Sequence, residues 1–403
     1  MRRDGCNPSP VTSGAVRILL VTGKGGVGKT TVAAATAALA ARRGLRTVVL
    51  STDPAHSLAD AFGVPIRDDL TAIAPRLHAQ QLDARRRFEE AWCDVRDYFV
   101  DVLGWAGAEA LEAEELAVVP GLDEVFALAD LRAHATSGLF DLIVVDCAPT
   151  AETIRLLSLP DVMAWYMDKA FAPTRRAVRA TRPILSRFTR LPVAGDGVFA
   201  AVERFYARLD GVRELLADGA VTSARLVVNP ERMVVAEARR TFTYLSLFGY
   251  HVDAVVANRL LPDAVTDPYF DRWRVAQAEH LDDVERAFAP LPVLGASLAP
   301  VEVLGVDTLA EFGATLYGSL DPAARLADVE PLRIEPRGDT VVVSVHLPFS
   351  ERTDIDLTRT DSELFVAVGP HRRAVSLPDA LRGRDVAGAR LSDGRLDVEF
   401  VRA

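Results

Sequence analysis

The sequence predicts an α/β fold, a doubly wound and mostly parallel sheet, followed by a separate all-β unit. Three observations carry this. Short apolar runs alternate with helix-forming stretches through the first three-quarters of the chain. The first of those runs ends in a glycine loop that opens a helix. After about Ser319 the apolar period changes from helical to alternating.

Val16–Thr22 (VRILLVT) is a short apolar run closed by glycine, the pattern of a buried parallel strand. Thr30–Arg43 is Ala-rich and stops at Gly44, as a helix does. Arg46–Ser51, Leu142–Asp146, Arg225–Asn229 and Val252–Asn258 read as further strands. Sheets of this kind bind ligands at the carboxyl ends of their strands. Phe88–His134 and Ile154–Leu216 read as mainly helical, the second broken by Pro160, Pro173, Pro183 and Pro192. They flank the Asp146 strand, which predicts one helical subdomain from residues 84–135 and 154–220 within an α/β domain of residues 15–320.

Asp321-Pro322 reads as a linker. From Pro331 onward Val341, Val343, Val345 and Leu347 share one face. Leu396, Val398 and Phe400 alternate with Asp397 and Glu399 after the turn Ser392-Asp393-Gly394. Residues 331–403 are therefore expected to form an autonomous antiparallel sandwich. Strand edges such as Leu364–Val368 are expected to be open to an extended client segment.

The 403 residues carry a formal net charge of −10, which argues against nucleic acid as the main partner. Cys6, Cys93 and Cys147 are far apart, and no pair has metal-ligand spacing. A reducing, cytoplasmic setting fits them. Residues 1–14 lack the apolar core of a secretory signal and read as a disordered tail. Val16–Val21 is too short to span a bilayer, so any membrane role is expected to be peripheral.

Gly23-Lys24-Gly25-Gly26-Val27-Gly28-Lys29-Thr30, continued by Thr31, fits G-x-x-x-x-G-K-[ST] between a strand and a helix. Glycines let backbone N–H groups converge on phosphates, and the helix N-terminus adds a favourable dipole. Lys29 would neutralise phosphate charge and the Thr30 hydroxyl would bind Mg2+. Asp146 ends an apolar strand, where a carboxylate holds Mg2+ or its water. Asp53 follows the second strand and would orient or deprotonate the attacking water. A turn-capping carboxylate is the competing reading of both acids. A solvated surface lysine is the competing reading of Lys24. The set predicts an ATPase that uses ATP and Mg2+.

These stretches, with Ser51–Gly63 (STDPAHSLADAFG), Pro120–Glu124 (PGLDE), Asp146–Pro160 (DCAPTAETIRLLSLP), Asn229–Arg240 and Val256–Pro262 (VANRLLP), resemble the arsenite-transporter ATPase (ArsA) family. That family includes the ATPases that guide tail-anchored proteins to membranes. The resemblance implies a homodimer in which Lys24 is a signature lysine reaching the partner's nucleotide. It implies that Asp53 is the catalytic carboxylate of a first switch and that Asp146 begins a second. It makes Asn258 the adenine-reading residue and Glu231 a nucleotide-proximal acid. Residues 331–402 resemble the small-heat-shock-like (α-crystallin-like) domain fused to some bacterial members.

The chain departs from that pattern in places. Asp263–Trp273 contains no cysteine where tail-anchor members carry a zinc-binding CxxC, so no zinc is expected. Ala151-Glu152 replaces a common Gly-His pair. One P-loop and no thiol cluster make arsenite efflux a disfavoured alternative. Asp168–Pro192 is locally basic, and Phe171, Val178, Ile184, Leu185 and Phe188 lie within it. This stretch is a candidate surface for a protein client, a membrane protein included, and a solvated helical face is its plain alternative. The rival from another class is a ParA/MinD-type spatial regulator, which shares the Lys24 type of P-loop.

Overall fold

The structure, a computed structural model, describes residues 16–52, 57–81, 122–148, Ala207, Leu209 and 211–402. The expected catalytic Asp53, His56, most of the proposed helical subdomain, the basic stretch at Asp168–Pro192, Cys6 and Cys93 lie outside these residues.

The described α/β part runs β1 (Arg17–Thr22), α1 (Lys29–Arg42), β2 (Thr47–Ser51), α2 (Ser57–Phe62), β3 (Thr71–Ala74), β4 (Leu77–Gln81), α3 (Leu122–Thr136), β5 (Leu142–Asp146) and α4 (Val212–Ala217). It continues through β6 (Thr222–Val228), α5 (Arg232–Phe248), β7 (Val252–Leu260), α6 (Asp271–Phe288), β8 (Val293–Ser297) and α7 (Val306–Tyr317). Eight strands form one sheet in the order β3-β4-β2-β5-β1-β6-β7-β8. All neighbours are parallel except β3, which turns back on β4. Every residue of β1, β2, β5 and β6 is buried, as strands covered on both faces require. Strands β3, β4 and β8 were not expected from the sequence. β3 is only four residues long, partly exposed and half alanine, so its apolar signal is weak.

Helix α1 is rich in buried alanine, which lets its backbone approach its neighbours closely. It packs on α7, where a Cβ on Gly313 would lie 2.6 Å from the Ala35 carbonyl oxygen. This contact seats the first helix firmly on the sheet.

The C-terminal part is the expected sandwich. One sheet has the order β14 (Arg384–Ser392), β15 (Arg395–Arg402), β10 (Thr340–His346), β9 (Leu332–Arg337). The other has the order β11 (Ile355–Arg359), β12 (Glu363–Val368), β13 (His371–Ser376). Asp393 and Gly394 both have positive φ, 50° and 69°, which suits the two-residue turn joining β14 to β15. Val343, Val345, Leu347, Val366, Val398 and Phe400 meet between the sheets.

Two expectations about this part are corrected. Leu364–Val368 is no edge, because β12 pairs with β11 on one side and β13 on the other. Asp321-Pro322 is no loose linker. Buried Arg225 donates to the carbonyl oxygens of Pro322 at 2.8 Å and Ala324 at 2.9 Å, and Arg17 donates to that of Ala323 at 3.2 Å. Asp253 lies between the two guanidiniums, 3.4 Å from Arg17 and 3.2 Å from Arg225. Burial lowers Arg17 to about 10. Burial also penalises the Arg225 charge, but Asp253 and Tyr317 more than offset that and hold it above its ordinary value.

The sandwich also packs directly on α5. Leu247 of α5 is fully buried within the sandwich core. Arg373 donates to the Leu247 carbonyl at 2.7 Å, and Thr243 donates to the Pro348 carbonyl. Phe349 meets Phe288 edge-on at 5.5 Å and receives the Arg239 guanidinium at 5.4 Å.

Candidate functional site

Strand β1 ends at Thr22 and α1 begins at Lys29, so the glycine loop spans the carboxyl edge of the sheet. Gly23 has φ 149°, and a Cβ there would lie 2.3 Å from the Val227 carbonyl oxygen. Gly28 has φ 95°, and a Cβ there would lie 2.3 Å from Asn258 Nδ2. A Cβ on Gly25 or Gly26 would meet nothing within 4 Å. The loop thus offers backbone, not side chains, to the space above it. That space and the adjoining helix N-terminus fit a polyphosphate.

Lys29 is buried, and its Nζ donates across the loop to the Lys24 carbonyl at 3.2 Å. Thr30 Oγ1 lies 3.1 Å from Ser57 Oγ at the start of α2. This contact places Ser57, four positions after Asp53, beside the proposed metal hydroxyl. Thr31 opens into a cleft of about 790 Å³ lined also by Asp60, Gly63, Arg259, Glu302 and Leu304.

Asp146 is fully buried at the end of β5, in register with Val21 of β1 and Ser51 of β2. Its Oδ2 lies 3.5 Å from Ser51 Oγ. Thr52 ties the two strand ends together. Its amide donates to the Asp146 carbonyl at 3.0 Å, and its Oγ1 accepts the Ala148 amide at 3.0 Å. The roots of the Asp53 loop and of the segment after Asp146 are therefore fixed to each other.

Asn258 is buried beside the loop. Its Nδ2 donates to the Val27 carbonyl at 2.8 Å, and its Oδ1 accepts the Arg259 amide at 2.9 Å. Glu231 precedes α5 as its N-cap and is exposed. It lines a second cleft of about 380 Å³ with Arg232, Arg259, Phe270, Trp273 and His280. Lys24 turns away from its own loop, and its Nζ lies 4.0 Å from Glu237 of α5.

The site thus brings together Gly23, Lys24, Gly25, Gly26, Val27, Gly28, Lys29, Thr30, Thr31 and Asn258, with Asp146 on the neighbouring strand. Glu231 stands apart at the second cleft. The sequence reading missed Thr52, Ser57, Glu237 and Arg259. Thr52 and Ser57 are hydroxyls bracketing Asp53 within one short segment, and that was their available signal. Lys24 was identified from its place after the first glycine of the loop, and composition adds a further signal. Of 46 Lys and Arg residues only Lys24, Lys29 and Lys169 are lysine, and two of the three sit in one loop. Lysine is otherwise almost absent from the chain, so its presence at Lys24 points to a role for a compact ammonium.

The comparisons with known proteins agree with this geometry. Residues 16–318 match the family model of the anion-transporting ATPases, ArsA_ATPase. Residues 338–400 match the HSP20-like domain found in ArsA. A Chlorobaculum tepidum protein provisionally named an arsenical pump-driving ATPase is 36% identical over 388 residues, 96% of each chain. An Aquifex aeolicus protein of the same provisional name is 35% identical over 386 residues, 93% of this chain and 98% of its own. The Arabidopsis thaliana ATPase GET3B is 32% identical over 325 residues, 74% of this chain and 78% of its own. With its glycine loop, its strand-end acid and its appended sandwich, this chain belongs to the ArsA family of anion-transporting ATPases and carries that family's HSP20-like domain.

Proposed function

We propose that the protein is a homodimeric, Mg2+-dependent ATPase whose nucleotide-driven closing and opening binds and releases a protein client, with membrane proteins among the candidate clients. The observation that carries the dimer reading is the division of labour between two lysines. Lys29 reaches across its own loop to the Lys24 carbonyl, whereas the Lys24 ammonium is part-exposed beside Glu237 of α5. A part-exposed ammonium at that position is available to a phosphate held by a second subunit.

Bound ATP with Mg2+ supplies the phosphoryl group and a neutralising cation. Around it Lys29 balances phosphate charge, and Thr30 and Asp146 hold the metal, Asp146 directly or through water. Asp53 orients the attacking water. Thr31 and Arg259 border the cleft that suits ribose and base, and Asn258, the neighbour of Arg259 in sequence, is the adenine-reading candidate. Glu231, at the second cleft, is the nucleotide-proximal acid that the resemblance implies. Zinc takes no part, because Asp263–Trp273 offers no thiolate.

The client reading rests on the resemblance to the members that guide tail-anchored proteins. The names of the bacterial relatives favour arsenical transport instead. Against that, Cys147 is fully buried with its Sγ on the Val145 carbonyl at 3.7 Å, which suits packing better than arsenite capture. Among the described residues no helix is long and apolar enough to cross a membrane.

The test is affinity capture with Asp53→Asn, which retains nucleotide but turns it over slowly. Lys29→Ala, which loses nucleotide binding, is the control. A client recovered with Asp53→Asn and ATP but not with Lys29→Ala supports the reading. Hydrolysis by Asp53→Asn at the wild-type rate removes the catalytic role of Asp53, and equal capture by both variants removes nucleotide control of the client.

A further inference from the structure

We propose that Glu237 is a positioning residue for Lys24, holding its ammonium within the same subunit until nucleotide draws it away. The proposal rests on the reading that Lys24 acts on a second subunit's phosphates.

The geometry is specific. Lys24 Nζ and Glu237 Oε2 lie 4.0 Å apart, with the two side chains 35% and 28% exposed. The pair is neither buried nor fully solvated. A pair of this kind is weak and reversible, whereas a lysine–phosphate contact is charge-assisted on a more highly charged acceptor. Glu237 therefore loses the competition when a triphosphate arrives and regains Lys24 when it leaves.

Glu237 is also held in place. It lies in the second turn of α5, a helix of 17 residues. The C-terminal half of that helix is fastened to the sandwich through Thr243, Leu247 and Arg373. On the sheet side Val234, Val235, Ala238 and Phe242 of the same helix are buried in the ATPase core. The carboxylate is thus presented to Lys24 from a rigid element clamped between two domains. A surface glutamate on a frayed helix would not hold a fixed position.

The chain's three lysines make the test simple to read. Zero-length carbodiimide crosslinking of the nucleotide-free full chain, followed by peptide mapping, should give an intrachain Lys24–Glu237 amide. A non-hydrolysable ATP analogue with Mg2+ should suppress it. Light scattering with the same analogue should show that Glu237→Gln dimerises at a protein concentration about two- to fivefold lower than wild type at low salt. In a Lys24→Ala background Glu237→Gln should change nothing. Absence of the crosslink, its persistence with nucleotide, or an equal shift in the Lys24→Ala background overturns the proposal. A wild-type chain that stays monomeric with the analogue overturns the dimer reading itself, while the crosslink still reports on the contact.

Discussion

Asn258 holds the nucleotide loop from outside it, donating from Nδ2 to the Val27 carbonyl at 2.8 Å while its own Oδ1 accepts the Arg259 amide at 2.9 Å. One buried amide thus joins the end of β7 to the glycine loop. Asn258→Ala should cost about 1–3 kcal/mol of stability and weaken binding of an ATP analogue by about tenfold. Thermal unfolding and calorimetric titration measure both. Unchanged affinity would mean that the loop keeps its shape without this contact.

Gly23→Ala should be the more damaging change. The new Cβ would meet the Val227 backbone oxygen at 2.3 Å, at a φ of 149° that side chains rarely adopt. Because backbone cannot swing aside, either β1 or β6 must shift. The expected result is loss of nucleotide binding with a lowered unfolding temperature. A stable variant with normal affinity would contradict the tight packing of the loop root.

Thr52→Val should lower kcat more than it raises KM. The swap keeps shape but removes the hydroxyl that accepts the Ala148 amide at 3.0 Å. It loosens the two strand ends that carry Asp53 and Asp146 without touching the phosphate cradle. Steady-state kinetics check this, and a pure KM effect would place Thr52 in binding instead.

Removing the sandwich should not be silent. Leu247 is fully buried in the sandwich core, and Phe242 meets His346 edge-on at 5.4 Å. A chain ending before Pro331 would expose this face of α5. It should unfold at lower temperature and self-associate. Arg373→Ala in the full chain should show the same direction more mildly, by about 1–3 kcal/mol. A truncated chain as stable and as monodisperse as the whole would restore the picture of an autonomous appendage.

Acid should loosen the same interface. Burial, with Arg395 and Arg333 nearby, lowers His346 to about 4 from the ordinary 6.5. Its Nδ1 is buried without a hydrogen-bond partner. The folded state therefore binds fewer protons than the unfolded state between these values. Its stability is complete above pH 6.5 and falls as pH drops toward 4, by at most about 3 kcal/mol. His346→Leu should flatten that part of the stability–pH curve. An unchanged slope would assign the acid sensitivity to other groups.

The sequence made the glycine loop legible because its chemistry is contiguous. Spacing alone identifies Gly23, Gly28, Lys29 and Thr30. Strands β1 and β5 were legible because both faces are buried and their apolar runs are unbroken. The β3–β4 hairpin was not, because β3 sits at the sheet edge and mixes exposed with half-buried residues. Arg17, Arg225 and Asp253 were hidden for a different reason. Charged residues are expected at the surface, and only the fold shows that two guanidiniums share one carboxylate inside. The contact between α5 and the sandwich was illegible because Thr243 and Leu247 look like ordinary positions on a helix. Their partners, Pro348 and Arg373, lie more than one hundred residues later in the chain.

The buried cluster beneath the sheet also bears on how the chain is made. Arg17 stands in the first strand, yet one of its acceptors is the Ala323 carbonyl, 306 positions downstream. Arg225 likewise awaits Pro322 and Ala324. During synthesis from the N-terminus, β1 can pair with β5 and β6 long before those carbonyls exist. Until they emerge, two guanidiniums under the sheet lack part of their shell and must stay hydrated. The ATPase unit therefore cannot reach its final packing when its last helix is complete. It closes only once the segment leading into the sandwich has been laid against it, which delays commitment of the first domain until the second is about to appear.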